Sequence, residues 1–225
     1  MPDWAGPVVR YIIETGLPFT LKIAGASVVG SAVIGIVLGT LLTIRFLPLR
    51  SLIRLYIEVW RGLPLIVTLF LIVYALPQTT FHLTFQPWVG AAIGLTLWGS
   101  AQVAEATRGA VESIPREQHE AASALGFGWL GRHVFIVLPQ AGRRLLPPLV
   151  SLLVNVIQNT TLASLVGVTE ILFAAKQQVE RLAAPPPAGL LQQHGFAIYG
   201  AVLVFFFVIS FPLTRLAAYL ERRLV

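Results

Sequence analysis

Apolar runs long enough to cross a bilayer leave a chain few choices of fold, and this one has several, at about residues 17–44, 55–76, 88–107, 146–173 and 196–215. About 20 consecutive apolar residues carry a helix across the hydrocarbon. Water is absent there, so backbone polar groups have to be satisfied inside a helix or a closed barrel. Runs of this length favour helices. Of the 225 residues 56% are hydrophobic and only 12% charged, with a mean hydropathy of +0.79, whereas a soluble domain is about 25% charged. The sequence therefore predicts an all-α integral membrane protein with five transmembrane helices. Residues 1–16 form an interfacial lead on the outer side, 17–216 the membrane domain and 217–225 a short inner tail. The lead, MPDWAGPVVRYIIETG, lacks the apolar core and small-residue cleavage site of a signal peptide.

Charge orients this arrangement. Arg45, Arg50 and Arg54 crowd the connection after the first run, and Arg108, Arg116, Arg132, Arg143 and Arg144 surround the segment after the third. Arg215, Arg222 and Arg223 mark the end of the fifth. The connection Pro77–Pro87, with Thr79, Thr80, His82 and Gln86, carries no Lys or Arg, and the one from Lys176 to Gly195 is polar and stiffened by Pro185–Pro187. Short loops rich in Lys and Arg stay in the cytoplasm. The N-terminus is then outside and the C-terminus inside. The net charge of +6 reads as topology and not as a nucleic-acid footprint, because the cations are not interleaved with aromatics along a stripe.

Between the third and fourth runs, at about 112–139, lies the longest stretch that reads as soluble helix. Pro115 and Glu117 suit a first helical turn, Glu120, Ala121, Ala122, Ala124 and Leu125 favour helix, and Gly126 stands where a left-handed cap is wanted. A second short segment, with Trp129, Leu130, Val134, Phe135, Ile136 and Leu138 around Arg132 and His133, is expected to stop at Pro139. The result is a helix–glycine–helix hook. In the first run Ser27, Ser31, Gly35 and Gly39 fall four apart, a spacing that lets helix backbones approach closely. Glu58 and Arg61, and again Glu105 and Arg108, stand three apart and can pair on one helix face.

Four polar residues interrupt the fourth run, Gln158-Asn159-Thr160-Thr161. Buried polar groups need partners or a wet cavity. They serve either as hydrogen-bonding glue between helices or as the lining of a path. The chain has no cysteine, no phosphate-cradling G-x-x-x-x-G-K-[ST], no histidines at metal-ligand spacing among His82, His119, His133 and His194, and no Ser/His/acid or paired-carboxylate arrangement within one expected element. Neither an enzyme active site nor a metal site is expected.

The hook's spacing, E-A-A, three residues, G, nine residues, I, one residue, L-P, resembles the cytoplasmic EAA loop of permease subunits in bacterial ABC importers. VWRGLPL resembles an R-G-T-P-L segment, with Leu63 in place of Thr, and AEATRGAVESIP an A-E-x-x-R-G-G-x-x-S-I-P segment, with Ala110 in place of the second Gly. With LPQA and NTTLASLVGVTEI these motifs are similar to the polar amino-acid group, the histidine, glutamine and general amino-acid permeases. The resemblance implies a type I importer permease fold with five helices, in the bacterial inner membrane. It implies a complex of two permease subunits, alike or different, two ATPase subunits that bind ATP and Mg, and an extracytoplasmic amino-acid-binding protein, with no cofactor in this chain itself. On it, Glu120, Ala121, Ala122, Leu125 and Gly126 couple to the ATPase. Gln158, Asn159, Thr160, Thr161 and Glu170 line the substrate path. Asn159 stands where relatives often carry the Asp of K-D-T-S, which implies a polar amino acid that is uncharged or acidic. A different class remains, an ion-coupled carrier or channel for a small polar solute, which calls for inverted repeats and buried acids at midspan.

Overall fold

The computed structural model describes residues 3–44, 46–78, 85–182 and 194–224, and no strand occurs among them. The helices are α1 (Ala5–Leu41), α2 (Leu47–Gly62), α3 (Leu65–Gln78), α4 (Pro87–Glu112), α5 (Arg116–Ala124), α6 (Trp129–Val166), α7 (Ile171–Leu182) and α8 (Gly195–Leu224). By length and composition α1, α6 and α8 can each cross a membrane, and α2 with α3 forms one further candidate bent by 103°. At 26 residues and ~1.5 Å per residue, α4 is also long enough. Its lower hydropathy follows from its burial. Ala91, Leu95, Ser100, Ala101, Val103 and Ala104 are all fully buried, and a helix sheathed by protein needs no lipid-facing apolar surface.

Several boundaries differ from the sequence expectation, and proline explains most of them. The lead at 1–16 is not separate, because α1 runs unbroken from Ala5, with Arg10 and Glu14 paired at 2.8 Å on its exposed side. Inside α1, α3 and α6 a π-type turn occurs at Ile12–Gly16, Leu71–Ala75 and His133–Val137. Each ends two residues before a proline, Pro18, Pro77 and Pro139. Leu17, Leu76 and Leu138 donate to the carbonyl five residues back. A proline has no N–H and its ring collides with the carbonyl four residues back. Widening the preceding turn relieves that collision. Pro139 therefore does not stop the second arm of the hook, which continues as α6. Pro64 does break its helix. Leu63 before it is extended, at φ −80° and ψ 137°, as the residue preceding proline prefers, and the expected span 55–76 becomes two helices.

At the other end of α6 the α geometry tightens to a 3₁₀ segment at Thr160–Val166 and stops at Gly167, φ +81°. The expected fourth span is thus interrupted before 173: α7 begins at Ile171, inside that span, and runs on into the stretch from Lys176 expected as an external connection. The inner tail 217–225 is likewise not separate, since α8 continues to Leu224. His82 and Pro185–Pro187 lie outside the described residues, as do Thr79, Thr80 and Arg45.

Two compact units make up the chain. One comprises Met1–Ser27, Pro64–Leu95 and Val156–Phe211, the other Val28–Leu63, Thr96–Asn155 and Pro212–Val225. In the first, Ile23, Leu69, Ala91, Leu95, Ala163, Val166 and Val168 form one core cluster, and Val8, Ile171, Ala175, Ile198 and Val202 another. Gly16 lets α1 pass the start of α7, since a Cβ there would lie 2.8 Å from the Ile171 Cα. The second unit packs Leu42, Ile53, Ile57 and Ala104 together, and Ala110, Val111, Ile114, Val137, Ala141 and Leu145 beside the hook. The small residues of α1 serve close packing on α4: Ser27 donates to the Ala92 carbonyl at 3.2 Å in the first unit. In the second, a Cβ on Gly35 would lie 2.5 Å from the Val103 Cβ.

Candidate functional site

The hook starts at Pro115, where α4 has ended. The helix α5 closes through a Schellman motif: Gly126 donates to the Ser123 carbonyl at 3.0 Å and Phe127 to that of Ala122 at 3.1 Å, with Gly126 at φ +81°. Only glycine takes that backbone cheaply. Of the residues singled out, Ala122 is buried, whereas Glu120, Ala121 and Gly126 are exposed and Leu125 is 76% exposed. Glu120 pairs with Arg116 at 3.0 Å. Leu130 (68% exposed) and Phe135 (70%) continue the apolar surface onto the start of α6. Side chains of this size gain about 1.5–3 kcal/mol each when a partner covers them.

Arginines that the sequence reads as topology charges also hold the hook together. Arg132 donates to the Ser123 hydroxyl at 3.0 Å, and Arg144 to the carbonyl and hydroxyl of Ser113, the latter at 3.1 Å. The His133 ring lies against Trp129, centroids 4.1 Å apart and planes tilted by 31°, and its Nδ1 lies 2.9 Å from the Trp129 carbonyl, which only a nitrogen bearing hydrogen can satisfy. Long-range sequence separation hides such bonds. Arg144 and Ser113 are 31 positions apart, and no local pattern marks them as partners.

The two expected ion pairs have different outcomes. Glu105 accepts from the Arg108 Nε at 3.2 Å on both oxygens, and Glu112 joins from the next turn. Glu58 and Arg61 do not pair. Glu58 sits on the exposed face of α2, while Arg61, in the last turn before the Pro64 break, lines a cavity of about 760 Å³ with Gln102, Glu105, Arg144, Ser151 and Glu221.

The polar run lies where α6 changes from α to 3₁₀ geometry. The hydroxyls of Thr160 and Thr161 bond back to the carbonyls of Ile157 (2.7 Å) and Gln158 (2.9 Å), and the Gln158 amide donates to the Ser210 hydroxyl of α8 at 3.1 Å. Three of the four thus have partners within the protein, and Thr160 is fully buried. Asn159 is half-buried and its side chain makes no hydrogen bond among the described residues. Glu170 lies beyond this run, immediately before α7. It is fully buried and caps α7, accepting from the N–H groups of Leu172 (2.9 Å) and Phe173 (2.8 Å). A carboxylate suits a helix N-terminus.

A helical membrane chain that offers an exposed two-armed hook has the build of a transport permease subunit. Residues 31–225 match the model of a family described as the binding-protein-dependent transport system inner membrane component. The chain belongs to that family, and its relatives are permease subunits of ABC transporters, not enzymes. It is 33% identical over 224 residues to the glutamine transport system permease protein GlnP of Escherichia coli K12, covering 99% of this chain and 97% of that one. It is 36% identical over 179 residues to the probable amino-acid ABC transporter permease protein PatM of Vibrio harveyi, covering 76% and 79%. Against the inner membrane amino-acid ABC transporter permease protein YhdY of Escherichia coli K12 it is 32% identical over 209 residues, 92% of this chain but 55% of that longer protein. The fold is similar to a crystal structure of an amino acid ABC transporter with histidines, at a TM-score of 0.83, 25% identity and 99% of each chain. It is also similar to an inward-facing MetNI methionine ABC transporter, at 0.74 and 18% identity over the whole of both chains, a likeness of fold alone. The fold is thus that of type I ABC importer permeases.

Proposed function

We propose that this subunit forms, with a second permease subunit, the membrane path for a polar amino acid handed over by an extracytoplasmic binding protein, and that a separate ATPase drives it. The observation that carries the coupling half is the hook. A short helix closed by a left-handed glycine and held by Arg132 and Arg144 is stiff, and its exposed Leu125, with Leu130 and Phe135 beyond, is the surface an ATPase cleft would cover. Closure of the ATPases then moves the hook as a rigid body and, with it, the bundle that α6 continues into. This reading puts the hook in the cytoplasm, the N-terminus outside and the C-terminus inside, and leaves ATP and Mg to the partner. The names of the relatives, amino-acid and glutamine permeases, support the substrate class.

Asn159 carries the substrate half. It is the one member of the polar run whose side chain makes no bond to the described residues, so its amide is free to donate to a carboxylate and accept from an ammonium. Without a carboxylate at this position a cationic side chain meets an uncompensated desolvation cost. A neutral or acidic amino acid follows. Uptake into cells or proteoliposomes with the cognate ATPase and binding protein tests this: Asn159→Leu is expected to lower uptake while ATPase association persists, and Asn159→Asp to shift preference toward cationic amino acids. Wild-type uptake of every amino acid by Asn159→Leu would return the run to helix packing. Cysteines placed singly at Gln78 and Ala124 of this cysteine-free chain test the orientation, since an impermeant reagent should label only the first in sealed right-side-out cells.

A further inference from the structure

Beside the hook, within one compact unit, lies a second cavity of about 1050 Å³ whose lining carries three arginines and two histidines. Arg50, Arg116, Arg132, His119 and His133 contribute to it, against two carboxylates, Glu112 and Glu120. Both carboxylates are already engaged, Glu112 by Arg108 and Glu120 by Arg116. That leaves Arg50, whose side chain makes no bond or ion pair among the described residues, and Arg132, whose side chain bonds among them only from Nη1 to a neutral hydroxyl. The Nε of Arg132 is buried and has no partner. A buried N–H of a guanidinium is rarely left unsatisfied, and its fork geometry fits the oxygens of a phosphate or carboxylate.

Other features add to this. The cavity includes Pro115 and Arg116, the start of α5, and that nine-residue helix has no side-chain cap at its N-terminus. Its positive dipole end is available to an anion. His119 is held below the usual histidine pKa by partial burial, then by Arg132 and His133, as expected where positive potential is not neutralised. The remaining lining is mixed: Thr43, Ser113 and Ser123 with the Trp129 ring, over Leu42, Val111 and Ile114, which are themselves buried. An anion with several oxygens attached to a hydrocarbon tail matches both parts of the surface.

We propose that this cavity binds a phosphate group, supplied by the headgroup of an acidic phospholipid whose glycerol and upper acyl chain lie against the part-exposed Trp129 ring. Arg132, through Nε and Nη, and Arg50 hold the phosphate. The binding requires that the chain spans a membrane, which its family establishes; it does not depend on the substrate role proposed above, but it shares Glu120 and Arg132 with the hook.

Native mass spectrometry of the full chain, stripped of lipid in detergent, tests the proposal with three probes: phosphatidylglycerol, phosphatidylcholine and inorganic phosphate. Phosphatidylglycerol should bind about tenfold more tightly than phosphatidylcholine, each arginine contributing a comparable electrostatic share. Arg132→Gln and Arg50→Gln should each remove most of that preference, and inorganic phosphate should compete with the lipid. Arg50 is exposed and unpartnered, so Arg50→Gln keeps the fold even if Arg132→Gln loosens the hook, as thermal melting will report. Binding of inorganic phosphate without any preference for phosphatidylglycerol would overturn the lipid as the source. Equal retention of both lipids with no phosphate binding, or a preference unchanged in both variants, would overturn the site. So would displacement of the lipid on adding the partner ATPase, which would make the cavity a protein interface.

Discussion

The same helix stop occurs twice in this chain, in opposite surroundings. Gly126 ends α5 and Gly167 ends α6, both at φ +81°, and each is followed by a residue whose N–H reaches five positions back, Phe127 to Ala122 and Val168 to Ala163, both at 3.1 Å. Around Gly126 nearly everything faces outward, and a Cβ there would meet nothing within 4 Å. Around Gly167 the neighbours Ala163, Val166 and Val168 are buried in a core, and a Cβ would touch the Tyr74 hydroxyl at 3.5 Å. One motif therefore serves two ends. At the hook it fixes the shape of a surface offered to a partner, and at the polar turn it fixes the packing of the chain upon itself.

That contrast sets the order of expected effects. Gly167→Val should be the more damaging, because a left-handed valine costs about 1–2 kcal/mol in backbone alone and its branched side chain would also crowd the Tyr74 hydroxyl, 3.5 Å from the added Cβ; thermal melting in detergent should show a larger loss than Gly126→Val. Equal losses would mean that the surroundings are irrelevant. Gly126→Val carries the same backbone cost at an open, exposed turn, so it should insert and lose less stability than Gly167→Val yet associate poorly with the ATPase, which pull-down measures. Next in size is Glu170→Ala, which removes the α7 cap and should cost about 0.5–2 kcal/mol, with Glu170→Gln recovering part of it. Arg116→Gln, which breaks an exposed pair with Glu120, should change stability by no more than about 0.5 kcal/mol.

The smallest effect is one of pH, confined to the hook. His119 has its pKa lowered first by partial burial and then by Arg132 and His133. The unfolded hook therefore binds the proton more readily, so stability rises with pH across this range. It should fall as pH drops through the ordinary histidine value of about 6.5. Hydrogen exchange of residues 116–124 followed against pH should show the loss, and His119→Gln should flatten it.

The hook's first arm was legible because each of its signals is local: proline at the start, alanine-rich helix formers, and glycine at the one position needing positive φ. The second stop was not. Gly167 lies in LASLVGVTE, where hydropathy continues on both sides, and a left-handed turn there is visible only once Ala163 and Val168 are seen to share a core. Pro64 and Pro139 are chemically alike and had opposite outcomes. A π-type turn precedes Pro139 and none precedes Pro64, and that choice depends on how each helix is packed.

For the candidate site the division is similar. Composition and arginine placement determined that this is a helical membrane chain, since the bilayer acts on every residue of a span in the same way and leaves a pattern in the sequence itself. Motif spacing determined the hook and the family. Only the tertiary structure decided that Arg61 leaves Glu58 for a cavity, that Glu170 caps a helix, and that Arg144 holds Ser113 across 31 positions. Hydrogen bonds and ion pairs depend on where side chains meet in space, and residues distant in sequence meet only after the helices have packed.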